Sequence, residues 1–153
     1  MTTPLRIRPV TDADFAPWLV LWEGYNAFYG RHGASALDPA ITRVSWQRFL
    51  DPAESMFACV AEVDGALCGL VHFLHHRSTT RIEPVCYLQD LFTAEAARGR
   101  GIARALIEHV YAHARAAGVR RVYWQTQAGN ATARALYDRL ARHAGFIVYA
   151  HDL

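Results

Sequence analysis

The chain contains no lysine, because all 16 of its basic residues are arginine. A Walker A loop needs a lysine on the phosphates of its nucleotide, so this class of phosphate site is excluded. The formal net charge is only +2, and the arginines form no basic tail or cluster. A nucleic-acid-binding protein of the usual basic kind is therefore not expected.

Cysteine is scarce, and long apolar runs are missing. The three cysteines, Cys59, Cys68 and Cys86, are an odd, widely spaced set inside apolar stretches, which is typical of buried thiols in a reducing compartment. The longest apolar runs, such as residues 18–22, are far too short to cross a bilayer. Residues 1–6 lack the charged-then-apolar pattern of a signal peptide, so we expect a cytoplasmic protein.

What is present can build a core. With 52% hydrophobic and 20% charged residues, the 153-residue chain has the composition of one globular domain, and we expect residues 1–153 to form it. Periodicity and turn signals predict strands near 5–8, 56–63, 67–74, 85–92, 119–126 and 145–149, and helices over about 12–28, 39–50, 102–117 and 130–143. This order predicts an α/β domain with one mixed sheet flanked by helices.

A glycine-bearing turn follows the strand at 85–92. Residues 98–104 read Arg-Gly-Arg-Gly-Ile-Ala-Arg and lead into an amphipathic helix. Free N–H groups and the positive end of a helix dipole meet at such a point and can hold the phosphates of a cofactor. A dinucleotide site would need a small residue where this chain has Arg104. It would also need an acidic residue at the end of the strand at 119–126, and the chain has neither. The turn therefore predicts a pyrophosphate site of another kind.

Residues 98–103 match the Arg/Gln-x-x-Gly-x-Gly/Ala signature of the GNAT superfamily of acyl-CoA-dependent N-acyltransferases. The strings at 87–92, 122–126, 130–138 and 145–149 are similar to one subgroup, the yeast-type histone, polyamine and D-amino-acid acetyltransferases. The resemblance covers roughly residues 5–150. It implies a GNAT-like α/β fold: a mixed, mostly antiparallel sheet flanked by helices and splayed between its central parallel strands.

The resemblance implies acetyl-CoA as the donor, with its pyrophosphate on the backbone of residues 98–104 and its pantetheine arm beside the strand end at 91–93. Asn130 would hold that arm, unless it serves only as a helix cap. Tyr137 would protonate the departing thiolate, unless it is a core residue, and an N–H near Leu91 would stabilise the oxyanion. The implied cofactor-binding residues are Leu91, Phe92, Thr93, Arg98, Gly99, Arg100, Gly101, Ile102, Ala103, Arg104, Asn130 and Tyr137.

The general base is the open part of this site. An alkylammonium acceptor, with a pKa near ~10.4, must lose a proton before its amine can attack a thioester. Polyamine acetyltransferases carry a glutamate and an aspartate where this chain has Gln89 and Asp90, and Gln89 cannot act as a base. Asp90 or Glu23 remain as candidates, directly or through water. Adjacent strand residues point to opposite faces, so Asp90 is alternatively a buried structural carboxylate.

The acceptor pocket is expected between the first two helices and the hairpin formed by the strands at 56–63 and 67–74. An aromatic lining beside a carboxylate would suit a cation there. Its predicted walls are Glu23, Tyr25, Tyr29, Trp46 and Tyr87, although aromatics at helical spacing also form cores. His72, His75 and His76 lie on one strand with diverging directions and no acidic or cysteine partner in the sequence pattern, so no metal is expected.

The function expected is acetyl transfer from acetyl-CoA to a primary amine of a small molecule, an amino acid or a peptide, by direct attack. Two alternatives stay open: a protein or histone-type lysine acetyltransferase, and a CoA-binding regulatory module without catalysis. Neither a nucleic acid nor a membrane is expected as a partner. A homodimer is expected by analogy with the subgroup, because the terminal strand has an edge that could pair.

Overall fold

The computed structural model describes residues 3–153, so residues 1 and 2, which belong to the stretch compared above with a signal peptide, lie outside it. The elements are β1 (Arg6–Pro9), α1 (Phe15–Phe28), α2 (Pro39–Leu50), β2 (Met56–Val63), β3 (Ala66–His76), β4 (Val85–Thr93), α3 (Ile102–Ala116), β5 (Val122–Tyr123) and α4 (Ala131–Leu140). No helix within residues 3–153 combines the length and hydropathy that a membrane span requires.

The five strands form one sheet in the order β1-β2-β3-β4-β5. All neighbours are antiparallel except β4 and β5, which run parallel. The β2–β3 hairpin turns at Asp64 and Gly65, whose φ angles of 52° and 77° are the positive values that a tight two-residue turn requires. The predicted mixed, mostly antiparallel sheet is confirmed.

The sheet is covered by helices on both faces, and β2 shows how. Ala58 and Val60 point to the side of α1 and α2, where they pack with Trp18. Cys59 and Ala61, the alternate residues, point to the side of α3. This alternation is what a strand buried on both faces produces.

The cysteines are the buried thiols that the sequence predicts. Cys59 and Cys86 are buried, Cys68 is partly buried, and all three are free. Burial raises the pKa of both the Cys59 and the Cys86 thiols to about 12. Because the nucleophile would be the thiolate, these two groups are inert at neutral pH.

The sheet opens between β4 and β5, as the resemblance implies. The two strands pair only at Cys86–Val122 and Tyr87–Tyr123. Beyond those pairs β4 continues to Thr93, whereas the chain after Tyr123 leaves the sheet. The strand predicted at 119–126 is therefore much shorter than expected, and one edge of the second half of β4 faces a gap.

The strand predicted at 145–149 is wrong for this chain. Residues 141–153 form neither helix nor strand, and α4 ends at Leu140 rather than near His143. Phe146 and Tyr149 are 83% and 89% exposed. A strand needs a neighbour for its backbone hydrogen bonds, and no strand of the described chain pairs with this segment.

Candidate active site

A cavity of about 660 Å³, the turn cavity, lies at the gap between the end of β4, the turn after it, the start of α3 and α4. Its lining includes Leu91, Phe92, Thr93, Arg98, Gly99, Gly101, Ile102, Ala103, Arg104, Asn130 and Tyr137. Arg100, the remaining residue predicted to bind the cofactor, is exposed and lies outside this lining. The structure therefore gathers nearly the whole predicted donor site around one cavity.

The backbone of the turn presents donors to this cavity. Gly99 and Gly101 both have a φ of 77°, a left-handed conformation that residues with a side chain rarely adopt. Helix α3 begins directly after Gly101 without a side-chain cap. Its first hydrogen bond runs from the N–H of Ala105 to the carbonyl of Gly101, so the N–H groups of residues 102–104 have no helical acceptor. An anion is the natural partner for such a helix start.

Two further features of the turn cavity suit a polar ligand. Arg98 donates from Nε to the carbonyl oxygen of Thr93 at 3.1 Å, which ties the turn to the end of β4. The Thr93 hydroxyl is buried, and among residues 3–153 it has no hydrogen-bond partner. A buried hydroxyl without a partner costs free energy that a bound ligand can recover.

Asn130 and Tyr137 occupy the side of the turn cavity formed by α4. The Oδ1 atom of Asn130 accepts from the Ala133 N–H at 3.4 Å, so Asn130 caps α4 as well as lining the cavity. Tyr137 packs edge-on against Trp124, with 5.4 Å between ring centroids. Burial, together with nearby Tyr29, raises the pKa of Tyr137, so its hydroxyl keeps its proton at neutral pH.

A second cavity of about 700 Å³, the aromatic cavity, adjoins the first, and Tyr25 and Tyr29 line both. Its aromatic walls include Trp18, Trp22, Tyr25, Tyr29, Phe49 and Tyr87. Arg31 and Asp90 supply its ionised side chains, and His72 and Gln89 also line it. A ligand in each cavity would therefore meet the other at the two shared tyrosines.

A β-bulge brings Asp90 into the aromatic cavity. Across β3 and β4, Phe73 pairs with Leu88 but His72 pairs with Asp90, so Gln89 is an extra residue. Such a bulge breaks the alternation of side chains. Gln89 and Asp90 consequently both line the aromatic cavity, although the sequence pattern predicts opposite faces for them.

Asp90 is held by contacts on two sides. Its Oδ2 atom lies 2.9 Å from His72 Nδ1, and the side chain is only 12% exposed. On the other side, burial and the Asp90 carboxylate raise the pKa of the buried Tyr25 hydroxyl. The sequence analysis weighed His72 only as a metal ligand and missed this pairing, which depends on the register between β3 and β4.

The other residues predicted for the acceptor pocket separate into two groups. Tyr25, Tyr29 and Tyr87 line the aromatic cavity, as expected. Trp46 is instead a core residue, buried against Trp18 with 4.7 Å between ring centroids. Glu23 is exposed and lines a different cavity, between α1 and α2, so the structure does not bring it together with Asp90.

Arg31 is a cavity residue that the sequence analysis did not single out. Its guanidinium lies 5.8 Å and 5.5 Å from the ring centroids of Tyr25 and Tyr29. Its Nε donates to Asn26 Oδ1 at 2.7 Å, and Asn26 is itself buried. Over residues 3–153 no carboxylate forms an ion pair with Arg31. The cavity thus holds a cation that is not paired with a carboxylate of the described chain.

The other two histidines of β3 have partners of their own. His76 lies 2.8 Å from the Tyr123 hydroxyl through Nε2, and His75 packs against Phe57. Across the described residues, no group of three or more His, Cys, Asp and Glu side chains could hold a metal ion.

The family model for the Acetyltransferase (GNAT) family matches residues 18–141. The chain belongs to the GNAT family. It is thus an acetyl-CoA-dependent N-acetyltransferase by family, and the match runs from within α1 to the end of α4, including the lining of the turn cavity and all of the aromatic cavity's lining except Val148.

Known proteins of this family resemble the chain over nearly its whole length. D-amino-acid N-acetyltransferase HPA3 of Saccharomyces cerevisiae is 30% identical over 148 residues, which are 95% of this chain and 89% of the yeast protein. A ribosomal-protein-alanine N-acetyltransferase of Brucella melitensis biovar Abortus 2308 has 21% identity and a TM-score of 0.78, covering 98% and 99% of the two chains. The aminoglycoside acetyltransferase AAC(6')-Iy, solved with a CoA-containing bisubstrate analogue, has 17% identity and a TM-score of 0.80, covering 99% of both chains.

The turn cavity of this GNAT protein fits a CoA thioester. The glycine turn and the start of α3 offer N–H groups to a pyrophosphate, and Arg98 and Arg104 add positive charge at its wall. The free edge of β4 and the unpaired Thr93 hydroxyl offer hydrogen bonds to an amide-containing arm. When bound, acetyl-CoA supplies the activated acetyl group.

Proposed function

We propose that the protein transfers an acetyl group from acetyl-CoA to the primary amine of a small molecule, and that an amino acid is the acceptor its aromatic cavity suits best. The observation that carries this proposal is the pair of ionised groups in that cavity, Arg31 and Asp90. Both act on the hydroxyl of Tyr25, where Asp90 raises the pKa and Arg31 lowers it. A carboxylate and an ammonium group on one small acceptor would satisfy both charges.

The yeast relative supports the same acceptor class, because its name gives D-amino acids as its substrates. The aromatic walls contributed by Trp22, Tyr25 and Tyr87 would then contact the side chain of the amino acid.

In the proposed reaction Asp90 accepts the proton of the acceptor ammonium, directly or through one water, so that the free amine can attack. Attack forms the C–N bond, and as the C–S bond breaks Tyr137 donates its proton to the departing sulfur. The proton that the new amide nitrogen loses restores the Tyr137 hydroxyl, and the raised pKa of Tyr137 keeps its proton available at neutral pH. A backbone N–H near Leu91, at the free edge of β4, would stabilise the developing oxyanion. The positions of Asp90 in the aromatic cavity and Tyr137 in the adjoining turn cavity support this division of roles.

The donor would be held mainly by backbone. We propose that its pyrophosphate lies on the N–H groups of residues 98–104 and that its pantetheine arm runs along residues 91–93. Asn130 would contact that arm while it also caps α4. Support comes from the positive φ of the two glycines and from the uncapped start of α3.

The two alternatives have less support. A lysine acetyltransferase acting on basic peptides would profit from several carboxylates, whereas the aromatic cavity contains one, Asp90, in its described lining. A regulatory module without catalysis would not need both a cavity carboxylate and a tyrosine beside the donor site. Asp90 and Tyr137 each occupy such a position.

The test is release of free CoA thiol from acetyl-CoA with a panel of amines. The panel contains both enantiomers of several amino acids, the amines left when their carboxylates are removed, a polyamine and a lysine peptide. We expect turnover with amino acids of at least one handedness. Turnover with the peptide alone would favour the lysine acetyltransferase, and tight CoA binding without any turnover would favour the regulatory module.

Arg31→Gln tests the acceptor class within the same assay. The variant should raise KM for an amino acid on the order of 10- to 100-fold, the worth of a hydrogen bond to a charged group, because the carboxylate loses its partner. KM for the matched amine without a carboxylate should not change. An equal rise in KM for the amino acid and for the amine without a carboxylate would exclude carboxylate recognition by Arg31.

We also propose that two copies form a homodimer through residues 145–153. Four consecutive apolar residues, 146–149, are exposed there, and such runs are rare on a monomer surface. Their composition favours a strand, and the edge strand β5 has no outer neighbour in residues 3–153.

Phe146→Asp combined with Val148→Asp should convert a dimer into a monomer in sedimentation, and a wild-type monomer at high concentration would refute this arrangement.

We propose, finally, that residues 1–153 form one acyl-CoA N-acyltransferase domain that acts in the cytoplasm. The family match over residues 18–141 supports the single domain. The three free cysteines support a reducing compartment. Fractionation of cells that carry the tagged protein would test the location.

A further inference from the structure

His72 lies between two hydrogen-bond partners on different elements, the buried Trp18 and the partly buried Asp90. The indole Nε1 of Trp18, on α1, is 3.0 Å from His72 Nε2. An indole N–H can only donate, so His72 Nε2 must accept and carries no proton. The imidazole is therefore neutral, and its one proton is on Nδ1.

The Nδ1 proton has one acceptor. Asp90 Oδ2 is 2.9 Å away, so His72 donates to the carboxylate proposed as the general base. The ring itself is only 4% exposed and stacks on Phe49, with 4.5 Å between centroids, while Trp22 lies 5.1 Å away. Turning the imidazole would break both hydrogen bonds and this packing.

We infer that His72 is a positioning residue for acetyl transfer: fixed by Trp18 in its Nδ1–H form, it aims the Asp90 carboxylate into the aromatic cavity and favours the charged state of that carboxylate. The inference rests on the proposed function, in which Asp90 accepts the proton of the acceptor. His72 itself gives up no proton, because a donated hydrogen bond stabilises the anion without transfer.

Other titratable groups face this pair from α1 and β4. Tyr25 from α1 and Tyr87 from β4 face the carboxylate, and burial raises the pKa of both hydroxyls. Arg31 lies beyond Tyr25 and stays charged throughout. The partners of His72 from α1 and α2, namely Trp18, Trp22 and Phe49, carry no charge.

Two substitutions of similar size separate the donor role from a merely structural role. In His72→Asn the amide nitrogen can take the place of Nδ1 and still donate to Asp90. In His72→Gln the amide lies further out, near the position of Nε2, and the donor to Asp90 is lost. We expect His72→Gln to lower kcat about 10- to 100-fold. The acid limb of its pH profile should move to higher pH, because the carboxylate loses a hydrogen bond that favours its charge.

His72→Asn should recover most of the activity together with the wild-type acid limb, and CoA affinity should be unchanged in both variants. In an Asp90→Asn background, His72→Gln should cause no further loss, because it acts through the missing carboxylate. Equal losses in both His72 variants with an unmoved acid limb would overturn the inference, and so would a full additional loss in the double variant.

The possible outcomes distinguish a failure of the role inferred for His72 from a failure of the proposed function. A wild-type protein that acetylates no amine overturns the proposed function and the role of His72 with it. Wild-type turnover, an inactive Asp90→Asn and an unchanged His72→Gln would overturn the role of His72 alone. If the His72 variants do not fold, ¹⁵N NMR of the imidazole in the wild-type protein decides: a proton on Nδ1 is expected, and a proton on Nε2 would contradict the inference.

Discussion

The two cavities of the site are built in opposite ways. The turn cavity depends on the backbone of one continuous segment, residues 98–104, and on the start of the helix that follows. The aromatic cavity depends on side chains that the fold brings together. His72 is 54 positions from Trp18 and 18 positions from Asp90.

This difference in construction matches the two tasks. The proposed donor needs the same pyrophosphate contacts for every acceptor, and backbone N–H groups can provide them whatever the side chains are. Acceptor recognition requires charge and shape that suit one compound, which only side chains can supply. Changes in the backbone of residues 98–104 should therefore weaken CoA binding, and substitutions of side chains in the aromatic cavity should change acceptor turnover without changing CoA affinity.

Tyr137→Phe should have the largest effect among the substitutions at the turn cavity. Removing a general acid lowers kcat on the order of 100-fold, while CoA affinity should stay the same because the ring remains. The raised pKa of Tyr137 means that its acid form persists up to at least pH ~10, so wild-type kcat should show no alkaline loss from this group below that pH.

Tyr111→Phe is the matched control. The Tyr111 hydroxyl donates to the carbonyl of Leu140 at 2.9 Å, near α4 but outside both cavities. Steady-state kinetics should show wild-type kcat for this variant. A Tyr137→Phe enzyme no slower than Tyr111→Phe would remove the acid role.

Gly101→Ala should have a smaller effect, confined to the donor. A side chain at a φ of 77° costs about 1–2 kcal/mol, and the turn would relieve this strain by shifting its N–H groups. Calorimetry should then show CoA affinity about 10-fold weaker, with KM for the acceptor unchanged.

Gly129→Ala is the control. Gly129 has no positive φ and open space around it, so this variant should bind CoA normally. Normal binding by Gly101→Ala would exclude the turn as the pyrophosphate site.

Asp14→Asn should change stability and neither kinetic constant, because Asp14 lines neither cavity. Its carboxylate binds both terminal nitrogens of Arg8, at 2.7 and 2.9 Å, and these bonds lower the pKa of Asp14 from 3.8 to about 2. The shift corresponds to about 2 kcal/mol of stability.

The pH dependence of that stability has a definite sign. A lowered pKa stabilises the fold fully above pH ~4, and the contribution disappears as the pH falls toward 2. Urea unfolding at pH 7 and at pH 3 measures the free energy of unfolding of wild type and Asp14→Asn. The difference between the two proteins should therefore be smaller at pH 3 than at pH 7. A difference in the free energy of unfolding that does not change with pH would show that the Asp14 carboxylate is not paired with Arg8 as described.

The glycine turn of the turn cavity could be predicted from the sequence because its features are local, whereas Asn130 and Tyr137 were expected there only from the family resemblance. Gly99 and Gly101 can adopt the positive φ that the turn needs, and the apolar stripe of α3 begins at Ile102. Helix α2 and strand β2 likewise have the predicted bounds, since alternation and capping signals lie within each segment.

The aromatic cavity could not be predicted in the same way. The bulge at Gln89 depends on how β3 and β4 align, and a single strand does not reveal its register. Arg31 follows helix α1 in a turn, and its place over two tyrosines depends on how that turn folds back. The terminal segment at 145–149 shows the same limit, because its strand-forming residues have no partner within the described chain.

The most direct test of the account is to measure CoA binding and turnover on Asp90→Asn, which keeps the shape of the side chain and can still accept from His72. We predict that calorimetry gives the wild-type affinity for CoA, while kcat with the best amino-acid acceptor falls on the order of 1000-fold. Turnover near the wild-type rate would contradict the account, because the aromatic cavity would then not supply the base.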